Sequence, residues 1–181
     1  MRCLLPAIII GFFLSFTASA QDAKDVTAPL PATVKKDSLP YQRFPSLPAF
    51  NIMLADSATI FNTYNIPGGK PIALMLFDPD CKHCKDLTKR MLAAMDSLQD
   101  IQFYMLTPAH SMAAIRKFSA DFHLADYKNV RVVGRDYEFF FHEYYGVKFV
   151  PDIALYDKNK TIIKLFEANA TVQDLYEATH K

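Results

Sequence analysis

Two cysteines stand two residues apart in the stretch Phe77-Asp78-Pro79-Asp80-Cys81-Lys82-His83-Cys84-Lys85. That spacing serves four kinds of chemistry: a zinc site, haem attachment, a structural disulfide, or a dithiol that cycles between reduced and oxidised forms. A structural zinc site takes four ligands. Here Cys81 and Cys84 are at ligand spacing, while His110, His123 and His142 are scattered and form no second close-set pair. Haem attachment places a histidine directly after the second cysteine, where this chain has Lys85. A bridge across so short a loop removes little chain entropy from the unfolded state, so stability alone gives no reason for the pair. What is left is redox chemistry, with no metal and no cofactor expected.

The apolar residues 72–77 precede the pair and a helical pattern follows it, which sets the pair at the step from a buried strand into a helix. The first sulfur then meets the free N–H groups of the helix start and the positive end of its dipole, and both favour a thiolate. Lys82, and His83 when protonated, add positive potential. Asp78 and Asp80 oppose it, since a carboxylate beside a thiolate raises the thiol pKa. Cys84, one turn further on, is placed to resolve a mixed disulfide. One thiolate attacks, a cross-link to the partner forms, and the other sulfur releases it.

Positioning these groups falls to alternating elements. Residues 50–54 are a short strand candidate and 58–61 a second, and Pro67, Gly68, Gly69 and Pro71 mark a turn over 65–71. The unbroken apolar run 72–77 reads as a central strand covered on both faces. In the helix after it, Leu87, Met91, Leu92, Met95 and Leu98 fall at helical spacing. A strand over 101–106, ended by Pro108, leads to a helix over 110–124 with Ile115, Phe118 and Phe122 inward. Next come a strand over 130–133, a turn over 134–136 and an aromatic helix over 137–145. Most of the set Phe139, Phe140, Phe141, Tyr144 and Tyr145 is expected in the core. Strands 152–156 and 161–166 close the chain around the polar turn 157–160, and a last helix starts at Thr171 with Asp174 as its capping partner. The alternation predicts an α/β fold: a mixed, mainly parallel central sheet flanked by helices, with short extra strands at the N-terminal side and an antiparallel edge.

The chain has 181 residues, room for one ordinary domain. Half of them are hydrophobic and 22% charged, a globular composition. A net charge of +1 offers no global field for nucleic acid or an acidic membrane surface. Arg2, the apolar run 4–16 and Ala18-Ser19-Ala20 have the layout of a signal peptide over 1–20; the apolar run is too short to span a membrane comfortably, which leaves an uncleaved N-terminal anchor as the weaker alternative. Cys3 precedes that run, which excludes it as the lipid-bearing cysteine of an exported lipoprotein, and it leaves with the signal. The mature chain then carries Cys81 and Cys84 as its whole cysteine content, unlike a scaffold stapled by several bridges. Residues 21–49, with Pro29, Pro31, Pro40, Pro45 and Pro48, read as an extended tether whose end grips the domain edge, and 50–181 as the domain.

On these residues the sequence resembles the thioredoxin-like fold. Residues 77–84, with the strand before them, are similar to its active-site segment. Far downstream, Tyr145-Gly146-Val147-Lys148-Phe149-Val150-Pro151-Asp152 resembles the segment in which thioredoxins set a cis-proline against the active-site cysteines. The resemblance covers residues 50–180 and is nearest to the exported redoxins, the thiol–disulfide oxidoreductases of bacterial envelopes. It implies Cys81 as the attacking cysteine, Cys84 as the resolving one, and Val150 and Pro151 as the docking site whose backbone pairs with a partner's extended chain. It also implies protein thiols and disulfides as partners, an upstream redox partner, no nucleic acid, no membrane span after signal cleavage, a monomer, and a periplasmic location.

Three departures stand out. Asp80, in a chain without tryptophan, replaces the aromatic residue that the family usually places before the first cysteine. Met75 stands where many members keep a buried acid that accepts the proton of the resolving thiol. Lys82 and His83 fill the space between the cysteines, with no proline there. A histidine before the resolving cysteine also occurs in strongly oxidising periplasmic relatives, where a stabilised thiolate favours the reduced form; the same tuning is expected of His83. Two rival readings stay open. One is a peroxiredoxin-like peroxidase, disfavoured by Asp78 in place of the hydroxyl residue that such enzymes carry three positions before the reactive cysteine. The other is a binding or copper-handling module using the thiolates with Met75 or His83.

Overall fold

The computed structural model describes residues 38–108 and 111–180. The expected signal peptide, Cys3, the first part of the tether with Pro29 and Pro31, and His110 lie outside them. Among the described residues seven strands form one sheet: β1 (Asn51–Leu54), β2 (Ile60–Asn62), β3 (Ile72–Leu76), β4 (Gln102–Thr107), β5 (Val130–Arg135), β6 (Asp152–Tyr156) and β7 (Ile162–Glu167). They lie in the order β2-β1-β5-β4-β3-β6-β7.

The sheet is mixed, but it is not mainly parallel. β3–β4 and β4–β5 pair parallel, whereas β1–β2, β1–β5, β3–β6 and β6–β7 pair antiparallel. Connection length decides this. The parallel steps carry helices α2 (Lys82–Ala93) and α3 (Met112–Asp121), long enough to return the chain to the start of the sheet. Helix α4 (Phe140–Tyr145) has six residues and rises about 9 Å, too little to span a strand, so β6 runs back against β3.

Each face of the sheet has its own core. On one, Ala73, Met75 and Phe77 pack with Cys84, Leu87 and Met91 of α2, Phe118 of α3 and Leu175 of α5 (Val172–Thr179). On the other, Ile72, Leu74 and Leu76 pack with Phe141 and Tyr145 of α4, with Tyr41 of α1 (Pro40–Arg43) against them. Burial on both faces explains why β3 is apolar without alternation. Among the described residues no helix is long and apolar enough to cross a membrane.

Several boundaries differ from the sequence reading. Gly134 and Arg135, expected in a turn, belong to β5. Gly134 pairs with Leu54, and a Cβ there would sit 2.6 Å from the Met53 carbonyl oxygen, so the glycine serves close strand approach. The turn begins at Asp136. The helix after it covers 140–145 rather than 137–145 because Phe139 takes left-handed backbone, φ 55. The aromatic set divides accordingly: Phe141 and Tyr145 are buried, Phe140 and Tyr144 are half-buried, and Phe139 is exposed. Helix α2 stops at Ala93 and passes into a 3-10 turn, Met95–Leu98, which keeps Met95 and Leu98 on the buried side. β2 falls at 60–62 instead of 58–61, and α3 starts behind Ser111 and ends at Asp121, with Leu124 in a separate 3-10 turn. The last helix begins as expected, with Thr171 and Asp174 forming a capping box.

The end of the proline-rich stretch is bound to the domain. The Leu47 N–H donates to Lys160 O and the Ile162 N–H to Pro45 O, each at 2.8 Å, and Ser46 bridges Thr161. The Tyr144 hydroxyl donates to Phe44 O at 2.8 Å. Leu39 covers Gly146 so closely that a Cβ on this left-handed glycine would lie 2.6 Å from the leucine methyl.

Candidate functional site

The site is built where β3 leaves the sheet. Phe77 still donates its N–H to Leu106 O at 2.9 Å, and then the chain turns on Asp78. The Asp78 carboxylate accepts the Asp80 N–H at 2.7 Å and its carbonyl accepts the Cys81 N–H at 3.1 Å. This turn delivers Cys81, in extended backbone, to the N-cap of α2, where its Sγ accepts the Cys84 N–H at 3.4 Å. An oxygen of Ser, Thr, Asp or Asn usually fills that position. With sulfur in its place, a free N–H of the helix start and the helix dipole both act on the reactive atom.

The two sulfurs are unequal. Cys81 is partly exposed, Cys84 is fully buried, and no bridge joins them. The Asp78 N–H donates to Cys84 Sγ at 3.4 Å. Burial pushes the Cys84 thiol up to about 12. The Asp78 N–H works against that rise, and Cys81 and the Asp78 charge add to it. Cys84 is therefore protonated at neutral pH, while Cys81 is the sulfur a partner can reach.

Across from Cys81 lies the second signature. Gly146 ends α4 in left-handed backbone, φ 69, residues 147–150 run back toward the sheet, and the Val150–Pro151 peptide is cis. The register Leu76↔Asp152 starts β6 at the level where β3 ends. As a result Cys81 Sγ lies 3.8 Å from the Val150 carbonyl oxygen although 69 positions separate them.

The flanking residues are placed as follows. The Lys82 ammonium pairs with Asp86 at 2.6 Å, one turn down the helix, so its charge is shared with a carboxylate rather than aimed at a thiolate. His83 is exposed and borders a shallow hollow of about 270 Å³ with Arg90, Pro151 and Thr171. Met75 is buried on the same face as Cys84. His123 lies in the turn after α3, and His142 in α4. Among the described residues no group of three or more His, Cys, Asp or Glu side chains is arranged to hold a metal ion.

Two features escaped the sequence reading. A hollow of about 430 Å³ opens at the ends of β3 and β4, bordered by Asp78, Thr107, His142, Lys148, Phe149 and Val150. The Thr107 hydroxyl and His142 Nδ1 are buried without a hydrogen-bond partner among the described residues. No local pattern marks this hollow, because its walls come from four separate segments. The second feature is Asp152, 1% exposed, with an unpartnered Oδ1. Burial, and then the charge of Glu167 on β7, raise its carboxyl to about 7. An acid at the head of an otherwise apolar strand was its visible signal. Another hollow, of about 640 Å³, lies before β3 between Lys70, Asp100, Lys158 and His180, and no cysteine borders it.

The thioredoxin-like domain family matches residues 63–175. Among solved structures, a secreted disulfide oxidoreductase of Mycobacterium tuberculosis aligns with a TM-score of 0.57 at 16% identity, over 71% of this chain and 92% of that one. The thioredoxin domain of a thiol–disulfide oxidoreductase of Bacteroides vulgatus aligns with a TM-score of 0.57 at 15% identity, over 80% and 95%. A thioredoxin-like protein of Aeropyrum pernix gives 0.58 at 15% identity, over 76% and 89%. At such identities the likeness is one of fold. No curated protein matches the sequence.

Proposed function

This chain belongs to the thioredoxin-like domain family, and from that premise we propose that it is a thiol–disulfide oxidoreductase acting on protein partners through Cys81 and Cys84. The observation that carries the reading is the inequality of the two sulfurs. One is partly exposed, caps a helix start and lies 3.8 Å from a backbone carbonyl; the other is buried one turn behind it. The Cys81 thiolate attacks one sulfur of a partner disulfide. That S–S bond breaks, a Cys81–partner bond forms, and the departing partner sulfur takes a proton from solvent. Cys84 then gives up its proton and attacks Cys81 Sγ, and the partner leaves as a second thiol. Two electrons pass from the dithiol to the partner disulfide, and an upstream dithiol protein restores the reduced pair. Run in reverse, the same steps donate a disulfide.

The backbone of Val150, beside Pro151, is the docking strand for the partner's extended chain, with the exposed Phe149 ring next to it. His83 tunes the potential of the pair, while Lys82, paired with Asp86, contributes little. The layout of residues 1–20, together with the word secreted in the description of the M. tuberculosis neighbour, supports an exported, periplasmic protein with a cleaved signal.

The test uses reduced protein and insulin, whose interchain disulfides serve as substrate. Wild type reduces insulin, Cys84→Ser accumulates a mixed disulfide that thiol reagents release, and Cys81→Ser does neither. A Cys84→Ser protein that never cross-links to a disulfide substrate ends the proposal. The equilibrium potential then assigns direction, and His83→Ala is expected to shift it toward a more stable disulfide.

A further inference from the structure

Resolution of the mixed disulfide requires Cys84 to lose a proton, yet Cys84 is fully buried and the usual family acid is Met75, a buried thioether. Any base must therefore act from the immediate surroundings of Cys84 Sγ. His83 is exposed and borders a different hollow, beside Pro151, that Cys84 does not line. The backbone group that reaches the sulfur belongs to Asp78, whose N–H lies 3.4 Å from it. The Asp78 charge also acts on that thiol, so the carboxylate lies near the sulfur as well. The carboxylate is half-buried and borders the 430 Å³ hollow, which has room for a water beside it. The turn bonds to Asp80 and Cys81 hold Asp78 in place before any partner arrives.

We propose that the Asp78 carboxylate is the base for Cys84, accepting the Sγ proton as the mixed disulfide is resolved. This rests on the disulfide-exchange reading above and names the proton acceptor of that same site. The proton moves from Cys84 Sγ to an Asp78 oxygen, directly or through one water. The Cys84 thiolate forms the bond to Cys81 Sγ, the Cys81–partner bond breaks, and the leaving partner thiolate is protonated by Asp78 or by solvent. No further oxidant or reductant enters this step. Asp78 thus replaces, from the turn after β3, the acid that Met75 does not supply from within the strand. The other charged or titratable groups around the start of α2 are Cys81, Asp80, Lys82, His83 and Lys85 on its own segment, with His142 and Lys148 across the hollow.

The experiment follows the reduced protein with 5,5′-dithiobis(2-nitrobenzoate) by stopped flow. The first thionitrobenzoate reports attack by Cys81 and the second reports resolution by Cys84. Asp78→Asn keeps a side-chain oxygen for the Asp80 N–H, and its first phase checks that the site is intact. The expected result is a second phase about 10- to 100-fold slower at pH 7, a first phase within about threefold of wild type, and recovery of the second phase as pH rises. Asp78→Glu is expected to regain part of the rate. If the carboxylate acts on Cys84 as a repelling charge alone, Asp78→Asn lowers the thiol pKa and the second phase is unchanged or faster, which overturns the proposal. A wild-type protein without any second phase sinks the exchange reading itself, a distinct outcome.

Discussion

Helices α2 and α4 both begin just after a strand at the same end of the sheet, and both have an aspartate at the turn. They use it in opposite ways. Asp136 is fully buried, and its side-chain oxygens accept the N–H groups of Phe140 at 3.0 Å and Phe141 at 2.8 Å, so the start of α4 is tied down by both oxygens of one acid. Asp78 spends its carboxylate on Asp80, inside the turn, and leaves the start of α2 to a sulfur. A thiol is a weak acceptor and a thiolate a good one. The helix start that an acid holds at α4 is capped at α2 by a sulfur that stays partly exposed. One helix start is closed by a buried acid, and the other carries a sulfur within a partner's reach.

Exchanging the two caps gives the sharpest contrast. Cys81→Ser is expected to abolish insulin reduction while leaving the melting temperature nearly unchanged, because a serine oxygen also caps a helix. A large loss of stability in that variant would mean that the sulfur is chiefly structural. Asp136→Ala should do the reverse. Two buried N–H groups lose a charged acceptor, and urea unfolding should record a loss of about 3 kcal/mol. A loss under about 1 kcal/mol would show that α4 does not depend on its acid.

A third acid at this end of the sheet sharpens the rule. Asp152 is buried like Asp136, yet burial and Glu167 raise its carboxyl to about 7. Its folded value lies above the unfolded one, so between about pH 4 and pH 7 the native state binds more protons. Stability is then lost as pH rises through that window. Asp152→Asn should narrow the gap in unfolding free energy between pH 5 and pH 8, by about 2 kcal/mol. An unchanged gap would place the titration elsewhere. The smallest effect belongs to Lys82→Ala. Its ammonium sits in an exposed pair with Asp86, and thermal melts at moderate salt should not separate the variant from wild type.

The place of Cys81 and Cys84 at the step from a strand into a helix was legible because spacing along a helix start is local, and so was the place of each main element. The run 72–77, covered on both faces, and the Thr171–Asp174 cap each declare themselves within a few residues. The shorter elements did not. Gly134 reads as a turn residue until β1 is known to cross it at close range, and residues 137–139 read as helix until Phe139 takes left-handed backbone. The sheet's direction was misjudged because it turns on what a six-residue α4 can span, a question of length against the whole sheet rather than of pattern.

By itself, then, the sequence determined the order of strands and helices, since residue type and periodicity are carried by near neighbours. Tertiary packing alone decided that Cys84 is sealed from solvent, that Asp78 touches it through its backbone, that Val150 stands over Cys81, and that Asp152 is a buried acid. Reactivity and charge depend on distance and burial, and both are set by segments that meet in space from far apart in the chain.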